Sequence, residues 1–236
     1  MLSIEGLGFN YAPGEAPDMR FDLQVDKGEV LSLIGPSGSG KSTLLSLVAG
    51  FLPAGSGRVL VDGVAVQDLA VDRRPVSIVF QQHNLFPHLD LYTNVALGVD
   101  PSLRLDAGQV DAVEAALQRL GLETLRQRKP GELSGGQRQR VALARALVRR
   151  RRILLLDEAF AALGPAMRAE LIELVRELVT EQRMAALLVS HQPADALLAS
   201  PRCAFLCDGR IAACAPTEQL LEADEPPQLR AYLGSR

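Results

Sequence analysis

The chain has no tryptophan, and aromatic residues make up only 4% of it. Its three cysteines are Cys203, Cys207 and Cys214, an odd number without zinc spacing. Neither a disulfide framework nor a zinc centre fits that pattern, and all three are expected to be small buried residues in a reducing compartment. No apolar run approaches the 18 residues of a membrane span, and the N-terminus has no basic and apolar leader pattern. The chain is therefore expected neither to be secreted nor to span a membrane by itself. Net charge is −3 and pI about 5.7, so no general basic surface draws a nucleic acid. The one basic run, Arg149-Arg150-Arg151-Arg152, is expected to close a helix, where cations complement the dipole. Internal repeats and low-complexity tracts are also missing. At 236 residues with 47% hydrophobic content, the chain suits a single large domain with subdomains.

Lysine is scarce too, with only Lys27, Lys41 and Lys129 in the whole chain. One of them lies inside Gly35-Pro36-Ser37-Gly38-Ser39-Gly40-Lys41-Ser42-Thr43, a full match to G-x-x-x-x-G-K-[ST]. A buried strand (Val30–Ile34) precedes this stretch and a helix (Leu44–Ala49) follows it, which is the context that gives the motif meaning. Glycines let the backbone curl so that successive N–H groups point inward at phosphate oxygens. Lys41 adds a compact charge at the outer phosphates, and Ser42 offers a hydroxyl to Mg²⁺. A glycine-rich turn that binds nothing is the alternative, and a complete match in the right context argues against it.

Upstream, residues 2–9 and 21–25 alternate as half-buried strands, separated by a Pro/Gly/Asp loop at 12–18. Tyr11 can stack on a purine base through its π-face, or be a strand-end tyrosine with a wet hydroxyl. Asp62-Gly63 between Arg58–Val61 and Val64–Val66 marks a hairpin. Val76–Phe80 reads as a buried strand with Gln81 directly after it. That amide can reach a metal-bound or attacking water, or simply cap the strand, and the two readings weigh equally. Residues 85–128 look helical in character. The loop Asn84–Leu89 is more apolar than a solvated connection needs, so a partner surface or a local core cluster explains it.

Leu133-Ser134-Gly135-Gly136-Gln137 opens a helix running to about Val148. Ser134 and Gln137 form a capping box, while serine, two glycines and a helix N-terminus also make a second phosphate cradle. Ile153–Leu156 is an apolar strand that ends in Asp157-Glu158, and a buried strand carries no charge without reason. Asp157 fits the Mg²⁺-side aspartate opposite Ser42, and Glu158 fits the group that polarises an attacking water. An amphipathic helix is expected over 166–182, with Leu171, Leu174, Val175 and Leu178 inward. A further buried strand over Ala185–Val189 ends in Ser190-His191, which puts His191 on a third strand end beside the phosphate site. Asp208-Gly209 marks a second hairpin, and a short final helix follows the acidic stretch near 222–227.

In their order these residues resemble the ATP-binding cassette of ABC transporters, over essentially the whole chain. Gly35–Thr43 is similar to the family's Walker A, Gln81 to its Q-loop glutamine and Leu133–Gln137 to its signature. Ile153–Glu158 is similar to Walker B and His191 to the switch histidine, and Tyr11 lies where the family's base-stacking aromatic does. The resemblance implies an α/β fold: a P-loop NTPase core, a small antiparallel β subdomain and an inserted helical subdomain. It places the β part at 1–30 and 55–70, the core at 30–54, 71–84 and 146–236, and the helical part at 85–145. It implies ATP and Mg²⁺ as cofactors, the metal held by Ser42, Gln81 and Asp157, with Glu158, His191 and Gln81 catalytic. It also implies a homodimer in which each signature acts in trans, permease subunits docked near 81–89, and indirectly a periplasmic substrate-binding protein. The cytoplasmic face of the bacterial inner membrane is the implied location, with the chain peripheral to it.

Arg73–Ser77, Asn84–Leu89, the stretch from Asn94 to Leu105 and the short ending resemble most the ATP-binding subunits of thiamine importers. Importers of other small solutes are an alternative. So is a nucleotide-gated dimerisation module that barely hydrolyses, because the family's D-E-P-x-S-A-L-D is here Asp157-Glu158-Ala159-Phe160-Ala161-Ala162-Leu163-Gly164. The carboxylate missing at 164 normally helps join the two sites, so an active but less tightly coupled ATPase is expected. A chromosome-maintenance cassette is disfavoured, because the chain between Thr43 and Gly136 is too short for a coiled-coil insertion.

Overall fold

The structure is a computed structural model, and it describes residues 1–12, 18–82 and 84–234. Most of the loop expected at 12–18 lies outside the described residues. One sheet of ten strands organises them, in the order β5-β4-β1-β2-β10-β9-β3-β8-β7-β6. These are β1 (Leu2–Phe9), β2 (Met19–Val25), β3 (Val30–Ile34), β4 (Ser56–Val61) and β5 (Val64–Ala65), then β6 (Val76–Phe80), β7 (Ile153–Asp157), β8 (Ala185–Val189), β9 (Arg202–Cys207) and β10 (Arg210–Pro216).

Two halves meet in that sheet. β1 pairs antiparallel with both β2 and β4, and β2 alternates buried and exposed residues as a one-sided sheet does. On the other side β9, β3, β8, β7 and β6 run parallel. All five residues of β3 and of β8 are buried, because helices cover both faces of a parallel sheet. A single pairing between Arg210 and Arg20 joins the halves.

Along β7 the pleat sends Ile153 and Leu155 to one face and Leu154 and Leu156 to the other. The first pair packs with α1 (Lys41–Ala49) and the antiparallel strands. The second pair faces the helical layer of α2 (Leu91–Ala96), α3 (Ala107–Arg119), α4 (Gly135–Leu147) and α5 (Pro165–Glu181). Three short helices, α6 (Pro193–Ala199), α7 (Thr217–Glu222) and α8 (Pro227–Leu233), complete the chain. No helix among the described residues is long and apolar enough to cross a membrane.

Several expectations need correction. Helical character over 85–128 reduces to α2, α3 and a 3₁₀ turn at Glu123–Leu125. Asp106 caps α3 in a capping box, so the preceding residues stay outside the helix. The arginine run starts just past Val148, the C-cap of α4, and Arg149, Arg150 and Arg152 are exposed as a solvated end. Arg152 pairs with Asp62, and Arg151 donates to the carbonyl of Asp72, so the run anchors neighbouring segments. Of the cysteines only Cys203 is buried, and burial pushes its thiol up to about 12. Cys207 is half-buried and Cys214 exposed. On α5, Leu174 is only partly buried, while Ile172 and Val179 join the inward stripe.

Candidate nucleotide site

Register brings the chemistry together. Leu33 pairs with Val189, Val189 with Asp157, and Asp157 with Phe80. The next residues on β8, β7 and β6 are therefore Ser190, Glu158 and Gln81, and the glycine loop leaves β3 beside them. Ligands of open parallel sheets bind at this carboxyl edge.

The glycine loop has strict local requirements. At Gly35 a Cβ would lie 2.1 Å from the carbonyl oxygen of Leu206 on β9, so any side chain would displace that strand. Gly40 ends the loop at φ 107° and serves as N-cap of α1. Lys41 is buried, and its Nζ donates to the carbonyls of Gly35 and Pro36, both at 2.8 Å. Burial lowers its pKa, while the charges of Glu158 and Asp157 pull the other way. The Ser39 hydroxyl is buried and has no hydrogen-bond partner among the described residues. An orphaned donor and a lysine at the mouth of an α-helix fit the phosphates of a nucleotide.

Ser42 Oγ donates to Asp157 Oδ1 at 3.3 Å. Burial raises the Asp157 pKa above the ordinary value, the Ser42 hydrogen bond opposes this, and the Glu158 charge adds to it. A hydroxyl beside a desolvated carboxyl is a hard oxygen pair of the kind Mg²⁺ takes together with phosphates and water.

Glu158 has φ 49°, a left-handed backbone that is uncommon outside glycine. Its N–H donates to Val189 O at 3.1 Å, fixing the bend. The side chain turns to His191, with Oε1 to Nε2 at 2.5 Å. Tyr11 stands beside the loop: its hydroxyl lies 2.8 Å from Thr43 Oγ1 and its ring meets Phe9 edge-on, yet two-thirds of the residue is exposed. Gln81 is also exposed. Pro36 and Ser37 complete the loop between Gly35 and Gly38.

The stretch Leu133–Gln137 lies on the helical layer. Ser134 caps α4 by accepting from Gln137 N (3.3 Å), and Gln137 Oε1 accepts from Ser134 N (2.9 Å). Leu133 is buried beneath this turn. A Cβ on Gly136 would lie 1.9 Å from Met167 Sδ, so the turn packs directly on α5. Gly135, by contrast, has open space for a side chain.

Sequence reading missed two residues beside His191. Tyr232 of α8 donates its hydroxyl to the carbonyl of His191 at 3.0 Å, far away in sequence and without a motif. Arg168 of α5 is buried near the same turn. Its one signal is an arginine at a position in phase with the apolar stripe Leu171, Ile172 and Val175.

A second feature is an apolar groove of about 570 Å³ between β6, α4 and the residues just past α2. Phe51, Val71 and Phe86 line it, each more than 40% exposed. Asn94 shapes its edge: its amide donates to the carbonyls of Phe86, Leu89 and Asp90, and its oxygen accepts from Phe86 N.

This fold and site define a class. Residues 19–161 match the ABC transporter family model, and the chain belongs to that family. It is an ATPase subunit of the ABC type. An ATP-binding cassette solved as a dimer in a post-hydrolysis state with ADP and Pi superposes with TM-score 0.79. It is 30% identical, and the match covers 92% of this chain and 99% of that one. More particularly, the chain is 50% identical to the thiamine import ATP-binding protein ThiQ of a Chelativorans species, over 100% of this chain and 95% of the relative. It is 45% identical to the protein of that name from Photobacterium profundum, over 95% and 93%.

Proposed function

We propose that the chain is the motor of a bacterial thiamine importer, in which two copies close head to tail over two MgATP. The observation that carries this reading is the convergence of Lys41, the Ser42–Asp157 pair and the Glu158–His191 pair at one sheet edge. Tyr11 stacks on the base, and the N–H groups of Gly35–Thr43 with Lys41 hold the phosphates. Ser42 and Asp157, with Gln81, hold Mg²⁺, which when bound neutralises charge developing on the transferred phosphoryl group. Glu158 orients and polarises the attacking water, and His191 fixes the Glu158 carboxylate. Leu133–Gln137 of one copy offers its helix N-terminus to the nucleotide of the other, which is why one chain carries two cradles. Catalysis is positioning and charge stabilisation.

The thiamine assignment rests on the names of the relatives. The groove under Phe86 receives a helix of the permease, because three exposed apolar side chains surround one cavity there. The antiparallel part (1–30 and 55–70), core (30–54, 71–84, 146–236) and helical part (85–145) then move as units when ATP closes the dimer. The complex sits on the cytoplasmic face of the inner membrane, with a periplasmic binding protein delivering cargo. Uptake of labelled thiamine by proteoliposomes holding this chain and its permease tests the reading. ATP-dependent uptake of a different solute only would refute the thiamine assignment. A weakly hydrolysing module remains the second reading, favoured by Ala159, Ala161 and Gly164 and opposed by the Glu158–His191 contact.

A further inference from the structure

Behind the Glu158–His191 pair lies a cavity of about 40 Å³, also walled by Arg168, Ser190, Gln192 and Asp195. Arg168 lies one turn past Gly164 and is only 8% exposed. Its Nη2 donates to the carbonyls of Leu163 (2.8 Å) and Ala161 (3.3 Å), in the loop that follows β7. Its Nη1 donates to Gln192 Oε1 and lies 3.6 Å from Asp195 Oδ1. Asp195 in turn accepts from Ser190 Oγ at 2.5 Å, and that oxygen accepts from Gln192 N at 3.0 Å. One guanidinium thus holds the loop 161–163 and Gln192 directly, and reaches Ser190, the other neighbour of His191, through Asp195. Its Nε is buried and has no partner among the described residues. A cavity of this size is large enough for a water molecule.

We propose that Arg168 is a positioning residue for ATP hydrolysis, locking the loop after β7 to the His191 turn and so setting the Glu158–His191 pair. A buried arginine–carboxylate pair is poor evidence for stability, since apolar replacements are often neutral or better. What this one gains is a fixed fork joining two segments, which a lysine cannot reproduce. The loop it grips leads to Gly164, where the family's joining carboxylate is missing. Movement of that loop on dimer closure therefore reaches His191 within one protomer. The inference rests on the reading of Glu158 and His191 as the hydrolytic pair.

The test compares the parent chain with Arg168→Lys, Arg168→Met and the double variant Arg168→Met/Asp195→Asn. Hydrolysis, nucleotide affinity and thermal unfolding are measured for each. Arg168→Met is expected to lower kcat about tenfold or more with nucleotide affinity nearly unchanged, as misplacement of a reacting group does. The double variant removes both buried charges, so it is expected to regain Tm without regaining kcat. Recovery of kcat together with Tm would show a structural role only and overturn the proposal, as would parallel loss of affinity and kcat. Should Arg168→Met fail to fold, Arg168→Lys decides: a fallen kcat at parental affinity supports the proposal, and a parental kcat overturns it. Glu158→Gln run alongside separates the two claims. If it hydrolyses normally, the reading of Glu158 fails. If it is inactive while the Arg168 variants match the parent, only this inference fails.

Discussion

Glu158 Oε1 lies 2.5 Å from His191 Nε2, across two neighbouring strand ends, and Glu158 reaches it from a left-handed backbone at φ 49°. A strained residue persists only where its surroundings over-determine it. Here the hydrogen bond from its N–H to Val189 and the contact with His191 do so. Glu158→Gln keeps the shape and removes the charge. It is expected to cut kcat by about 10²–10⁴-fold, the usual contribution of a positioned base, with ATP affinity retained. Equal phosphate release from variant and parent would remove the role assigned to Glu158.

Gly164 is the N-cap of α5 at φ −65° and ψ 157°, and a Cβ there meets nothing within 4 Å. The position does not require glycine. Gly164→Asp is therefore expected to fold well and to raise stability by about a few tenths of a kcal/mol, as an aspartate cap does over glycine. It also adds a carboxylate where the proposed coupling of the two sites lacks one, so the Hill coefficient for ATP should rise. A variant with parental cooperativity and rate would sever position 164 from coupling.

Asp62 gathers the N-terminal ammonium at 2.8 Å, Lys27 at 3.0 Å and Arg152. The hydrogen bond from the N-terminus, helped by Lys27 and Arg152, holds its carboxyl well below the ordinary 3.8. A carboxyl with a lowered folded-state pKa stabilises the fold fully above its unfolded value, and loses that contribution as pH falls below it. Its partners are half exposed, which screens the pairs. Asp62→Asn is expected to cost about 1 kcal/mol at pH 7 and less toward pH 3. Urea unfolding across pH checks this, and a difference that grows as pH falls would contradict it.

How much of this was legible beforehand divides along a physical line. Strands β3, β7 and β8 and the glycine loop were readable because burial on both faces and positive φ leave few residue choices. The element ends within 85–128 were not, since a capping aspartate at 106 and loop contacts through Asn94 divide the helical stretch into α2 and α3. Of the candidate site, the motif residues Lys41, Ser42, Asp157, Glu158 and His191 are the ones the sheet edge brings together. Tyr232 was missed because its partner is a carbonyl, which leaves no pattern in sequence, and Arg168 because its partners are carbonyls, a loop amide and the distant Asp195, so that only its phase with the apolar stripe marks it.

Phe86 is 45% exposed over the groove, held there by Asn94. Phe86→Glu is expected to weaken association with the permease by about 30-fold or more, the size of an interface hot spot. ATP affinity of the isolated chain should stay at the parental level. Unchanged co-purification with the permease would place the docking surface elsewhere.

The central claim is that two protomers, each with half of the site, enclose the nucleotide. Molecular mass in solution tests it most directly, using Glu158→Gln so that turnover does not reopen the pair. The account predicts a monomer without nucleotide and a dimer with MgATP. A mass that stays monomeric with MgATP, alone and beside the permease, would contradict it.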